Sequence, residues 1–149
     1  MSARRNIGIY LFPEVEVLDF AGPFEVFTTA ARVCMRLSPS AEPPFRVFSV
    51  AESSALVRAR AGLRITPDHA FGEHPKIDVL VVPGGVIDAE LAKPSVLQWV
   101  SDCAADAELV ASVCTGAFIL AKAEVLVSGK VTTHWEDQAQ LAEMFPALQ

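Results

Sequence analysis

The sequence predicts an α/β fold: a three-layer sandwich in which a mostly parallel central sheet is flanked by helices. Three observations carry that prediction. Short, continuous apolar runs, NIGIYLF at 6–12, KIDVLVVPGG at 76–85 and AELVASV at 107–113, have the composition of strands buried on both faces. Segments with helical spacing alternate with them, and that alternation builds a parallel sheet covered on both sides. Hydrophobic residues make up 52% of the 149-residue chain and charged residues 20%, enough apolar material for one domain with a sizeable core, assigned to 1–149.

Taken in order, strand 6–12 leads into PEVEVLDFAGPFEVFTTAARVCMR. Pro23 suits the first turn of a helix beginning near Asp19 or Gly22, with Phe24, Phe27 and Ala31 recurring on one face. LSPSAEPP at 37–44 is a loop. FRVFSVA at 45–51 is a second strand, and 55–69 is a short hairpin or extended excursion turning near Gly62. Strand 76–85 stops at Pro83-Gly84-Gly85. A helix over 94–106 opens on Pro94, strand 107–113 follows, and TGAFILAKAEVL at 115–126 is the next helix. Gly129 breaks the chain, VTTHW at 131–135 is short and extended, and EDQAQLAEMF at 136–145 is helical. The chain carries no internal repeat, low-complexity segment or linker.

Composition excludes several functions. The net charge of −6 argues against a nucleic-acid surface, which needs clustered Lys and Arg to neutralise phosphates. Every apolar run is far shorter than the roughly 18 residues of a membrane span. The three cysteines, Cys34, Cys103 and Cys114, show no CxxC spacing, so neither a zinc site nor a disulfide framework is expected, and no cofactor is implied. No leader sequence is visible, which makes a reducing cytoplasm the expected compartment.

In such sheets ligands bind beyond the carboxyl ends of the strands. Three loops reach that edge: LFPEVEVLD, PGGVID and CTG. In the last, Cys114 stands where a strand stops and a helix starts, with Ser112 two places before it and Gly116 two places after. Small neighbours permit a sharp, strained strand-to-helix turn, the mechanics of a nucleophile elbow with S-x-C-x-G in place of G-x-S-x-G. A helix N-terminus also favours a thiolate, so Cys114 is assigned as the nucleophile. Cys34 and Cys103, both within helices, are assigned to the core. Gly84 and Gly85 lack side chains that would cover their N–H groups, which together with the N–H beside Cys114 could bind developing negative charge. Asp19, at a helix start on the same edge, is either a cap or an acid/base partner of the cysteine. Glu14 and Glu16 are placed on the solvated loop. His134, at the end of another extended segment, is placed in a pocket-lining or structural role ahead of a direct base for the thiol; His69 and His74 are placed in a solvated loop.

FPEVEVLDFAGPFEVF, GLRITPDHAF, DVLVVPGG and SVCTGAFILAKAEVLVSGKVTTHW together resemble the ThiJ/PfpI family, within the class I glutamine amidotransferase-like superfamily. The resemblance covers nearly the whole chain and is strongest to the isonitrile hydratase subgroup. The same blocks occur in the amino-terminal domains of AraC-type regulators. It implies a flavodoxin-like arrangement, Cys114 as nucleophile, Asp19 as its acid/base partner, Thr115 as a third catalytic or orienting group, and Gly84 and Gly85 at an oxyanion-type pocket. Thr115 departs from the family's proteases, which carry His after the cysteine; Asp19 departs from its chaperone and deglycase members, which use Glu. The implied function is addition of water to a small electrophile such as an isonitrile, giving an N-substituted formamide; the alternative is a small-molecule-sensing domain of a transcriptional regulator. A small-molecule substrate or ligand and a homodimer are the expected partners, with no nucleic acid bound through this domain and no membrane. The family pattern continues past MFPALQ with a strand and a Gly-rich turn leading to a final helix. Pocket residues from those elements are not assigned.

Overall fold

The computed structural model describes residues 4–148. Five parallel strands form the central sheet in the order β5-β2-β1-β6-β7: β1 (Arg5–Tyr10), β2 (Phe45–Ala51), β5 (His69–Ala70), β6 (Val79–Val82) and β7 (Leu109–Ser112). A separate antiparallel ribbon pairs β3 (Val57–Arg58) with β4 (Arg64–Ile65), turning through Arg60–Gly62. The chain lays β2 on one side of β1 and later returns to lay β6 and β7 on the other. The strand order therefore reverses between β1 and β6, and a crevice opens at their carboxyl ends.

The two faces of the sheet follow from strand alternation. Ile7 and Ile9 of β1 and Val79 and Val81 of β6 point to one face, where Phe20 and Phe27 of α1 (Val17–Leu37) pack on them. Tyr10, Leu80 and Val82 point to the other, against Val96, Trp99 and Val100 of α3 (Pro94–Asp106) and Ile119 and Leu120 of α4 (Gly116–Lys122). The result is the three-layer sandwich that the alternating apolar runs predict. Among the described residues no helix is long and apolar enough to cross a membrane.

The boundaries of β2 and α3 fall where the apolar pattern places them; others move. Helix α1 begins at Val17, so Pro23 lies inside it and not in its first turn. A tertiary contact fixes that early start: the Glu16 N–H donates to the Gly84 carbonyl at 2.8 Å, and the first turn closes locally with the Asp19 N–H on the Glu16 carbonyl at 3.1 Å. Proline in a helix interior costs about 3 kcal/mol, and packing of Phe20 and Phe27 on the sheet offsets it. Helix α4 ends at Lys122 instead of 126, because Glu124 takes a left-handed φ of 59° and turns the chain. Residues 131–134 join no strand ladder among the described residues; they are extended and run into a 3₁₀ turn, Trp135–Asp137, before α5 (Gln138–Met144).

Two further assignments are corrected by packing. Cys34 is exposed near the end of α1, whereas Cys103 is half-buried against the core, where burial pushes its thiol up to about 11. His69 and His74 are not solvated. His69 sits in β5 with its ring edge-on to Phe48, and the Trp99 indole N–H bonds Nε2 of His74 at 2.9 Å. The four-residue helix α2 (Asp88–Leu91) is too short to leave a periodic signature.

Helix α2 carries a buried charge. Glu90 is 1% exposed, accepts a hydrogen bond from the Tyr10 hydroxyl, and takes another from the Lys93 ammonium at 2.7 Å. Burial and the neighbouring carboxylate push the Tyr10 phenol far up, and the bond to Glu90 raises Lys93. A buried carboxylate stripped of its cation is costly. Lys93→Met is accordingly expected to lower stability by about 2–3 kcal/mol in urea titration at pH 7. That is less than for a fully buried pair, because the lysine is 34% exposed.

Candidate active site

Between β7 and α4 the chain reverses within three residues. Cys114, at the centre, has φ 54°, in the left-handed region that residues bearing a Cβ seldom occupy. Such a conformation costs about 1–3 kcal/mol. The turn is pinned on both sides: the Val113 N–H donates to the Val82 carbonyl and the Gly116 N–H to the Val113 carbonyl, each at 3.0 Å. The Thr133 hydroxyl donates to the Cys114 carbonyl, also at 3.0 Å. A Cβ on Gly116 would stand 2.1 Å from the Val82 oxygen. Gly116→Ala is therefore expected to cost about 3 kcal/mol or more, measured by urea unfolding, because backbone must move to admit the methyl group.

Asp19 comes from the first turn of α1, after β1, and is 7% exposed. It is not the helix cap: Glu16 holds that position, and the Asp19 carboxylate instead accepts the Gly84 N–H at 3.2 Å through Oδ2. It lines the same cavity as Cys114, 95 positions away in sequence, and the carboxylate and the thiol each shift the other's proton affinity. Burial raises the Asp19 carboxyl above its ordinary range, while the Gly84 N–H and the thiol pull it back in part. Burial also raises Cys114; the Thr115 N–H opposes this, and the Asp19 charge adds to it. Burial and the Asp19 charge thus favour the protonated thiol over the thiolate. The thiolate expected from the helix N-terminus is overruled by burial and by the adjacent acid, and α4 is only seven residues long.

The glycine pair does something other than lie open to the pocket. The Gly84 N–H serves Asp19, and the Gly85 N–H donates to the Thr115 hydroxyl at 3.0 Å, which in turn donates to the Gly85 carbonyl at 3.1 Å. A Cβ on Gly84 would lie 2.6 Å from the Thr115 nitrogen and 2.9 Å from Oδ2 of Asp19. Gly84 is the spacer that lets the acid and the elbow approach each other. Thr115 clamps the loop after β6. The backbone donor left beside the sulfur is the Thr115 N–H.

Cys114, Thr115, Asp19 and Gly85 open into a cavity of about 590 Å³, with Phe118, Ile87 and Leu91 as apolar lining. His134 lines it too, with Nδ1 3.4 Å from Asp137 and 3.9 Å from Glu136. Glu16 is not on a solvated loop: it sits at the cavity edge, 3.4 Å from the Arg60 guanidinium brought over by the β3–β4 ribbon. Glu14 is exposed, as expected from its loop. Sequence reasoning missed Arg60, Asp88, Glu136 and Asp137. None belongs to an apolar pattern, and only the tertiary fold brings their segments to one rim.

The profile of the DJ-1/PfpI family matches residues 5–145. The chain belongs to the DJ-1/PfpI family. A ThiJ/PfpI family protein from Pseudomonas syringae, known as a crystal structure, superposes with a TM-score of 0.81 at 30% identity, over 98% of this chain and 56% of that one. The isonitrile hydratase of Pseudomonas putida is 33% identical over 131 residues, 87% of this chain and 52% of its own length. The HTH-type transcriptional regulator GbdR of Pseudomonas aeruginosa is 27% identical over 95% of this chain and 37% of its own. This DJ-1/PfpI domain therefore spans about half of the hydratase and just over a third of the regulator.

Proposed function

We propose that this DJ-1/PfpI domain is a cysteine-dependent hydratase that adds water to a small electrophile of the isonitrile class. The observation carrying the proposal is that Cys114, held at a strained φ of 54°, and the buried Asp19 line one open cavity and each shift the other's proton affinity. Strain kept at a cysteine beside a raised carboxyl has a chemical use that packing does not require. The likeness to an isonitrile hydratase supports the substrate class.

Asp19 takes the thiol proton as Cys114 sulfur bonds to the terminal isonitrile carbon. The same proton passes from Asp19 to that carbon, giving a thioimidate, R–N=CH–S–Cys. Asp19, again a carboxylate, accepts a proton from water as the water oxygen bonds to the carbon. Asp19 passes that proton to the nitrogen; the carbon–sulfur bond then breaks as Asp19 carries the new hydroxyl's proton to the departing sulfur, and R–NH–CHO leaves with the thiol restored. Atoms balance as R–NC plus water, and a single carboxyl serves as acid and base in turn. The Thr115 N–H faces the sulfur as charge departs from it.

A second reading rests on the regulator relative: the same cavity would bind a small molecule and pass the signal to an attached DNA-binding domain. Incubation with a panel of alkyl and aryl isonitriles, with formamide followed by chromatography and Cys114→Ala as control, separates the two. Formamide from the wild type only supports the hydratase. Saturable binding without turnover supports the sensor.

A further inference from the structure

The lining of the cysteine cavity is strongly acidic. Glu16, Asp19, Asp88, Glu136 and Asp137 contribute five carboxylates, against one arginine and one histidine. Both basic groups are already engaged, Arg60 by Glu16 at 3.4 Å and His134 by Asp137 at 3.4 Å. Asp88 has no ion pair among the described residues. The acidic groups arrive from three separate segments, the start of α1, α2 and the 3₁₀ turn before α5, and Arg60 of the ribbon bridges to Glu16. The charge therefore surrounds one opening instead of spreading along one solvated helix face.

Resting on the reading of Cys114 as the reactive group, we propose that this cavity selects small electrophiles bearing a positive charge, such as an ammonium or quaternary ammonium group, over anionic ones. A cavity lined by one sign of charge concentrates ions of the opposite sign and repels like ones. The apolar lining of Ile87, Leu91 and Phe118 accepts the carbon skeleton, and the carboxylates of Asp88 and Glu136 at the mouth accept the charged end. A cation in this cavity also favours the thiolate that Asp19 disfavours, so binding and activation of the nucleophile support each other.

Three methanethiosulfonate reagents test this without knowledge of the natural substrate: the cationic trimethylammonium-ethyl, the anionic sulfonato-ethyl and the neutral methyl derivative. Each converts a thiolate to a mixed disulfide and releases methanesulfinate. Rates at Cys114, read by peptide mass spectrometry and divided by the rates with β-mercaptoethanol, remove the intrinsic differences between reagents. The expected corrected ratio of cationic to anionic rate is about tenfold or more at low ionic strength, falling toward unity at 0.5 M salt as screening sets in. In the double variant D88N/E136Q the ratio falls at least threefold, while Asp102→Asn, on α3 outside the cavity, leaves it unchanged. A corrected ratio near one at low salt, with Cys114 reacting readily with the neutral reagent, overturns the charge selectivity and leaves the hydratase reading standing. A Cys114 inert to all three overturns both.

Discussion

Cys114→Ala is expected to abolish isonitrile hydration, by about 10⁴-fold or more, because it removes the atom to which the substrate is bonded. Its effect on stability is the more informative half. Alanine retains a Cβ and must hold the same φ of 54°. Glycine occupies that region freely, although it loses more entropy on folding. A Cβ-bearing residue pays about 1–2 kcal/mol in the left-handed region. Cys114→Gly is therefore expected to melt above Cys114→Ala by up to about 1 kcal/mol, a few degrees for a domain of this size, with neither variant active. That separation identifies the elbow as strain retained for chemistry. An active Cys114→Ala variant would remove the nucleophile from the mechanism.

Asp19→Asn is expected to fold normally and to lose about 10²–10⁴-fold in turnover, the usual contribution of a general acid/base. Asparagine preserves shape and can still accept the Gly84 N–H that holds the loop. The direction of the stability change follows from the raised carboxyl. Its ordinary value is 3.8, and burial makes the folded state hold the proton more tightly. The carboxyl's contribution to stability therefore falls as pH rises from 3.8 through the raised folded value, and at neutral pH the ionised group costs stability. The variant should melt at or above wild type at pH 7, with the difference disappearing below pH 3.8, where wild-type Asp19 is neutral in both states. Early melting of the variant at pH 7 together with full activity would make Asp19 a structural residue only.

Much of the architecture was legible because burial leaves a periodic or continuous mark. β2 and α3 fall on their apolar patterns, and the elbow was legible from two small residues flanking a cysteine at a strand's end. The start of α1 was not, because Pro23 is the strongest local signal there and backbone bonds from Glu16 to the loop after β6 outvote it. β5 is two residues long and α2 four, below the length at which a period can be counted. At the site, the placing of Asp19 and Cys114 in one cavity followed from parallel-sheet topology, which gathers loops on one edge. The use of the Gly84 and Gly85 N–H groups did not. Composition cannot tell an amide facing a cavity from one bonded to a neighbouring carboxylate or hydroxyl, and here both are bonded. The direction of the Cys114 shift was likewise out of reach, since burial and the acid act through space, and the turn alone points the other way.

The thiol–carboxylate couple is the centre of this account, and the pH profile of Cys114 alkylation by iodoacetamide, followed by peptide mass spectrometry in wild type and Asp19→Asn, tests it most directly. The wild-type inflection is predicted above the ordinary thiol value of 9.0. In Asp19→Asn it moves down, because the carboxylate charge that favours the protonated thiol is gone. Superimposable Cys114 profiles in the two proteins, or an inflection that rises in the variant, would contradict the coupling of Cys114 to Asp19.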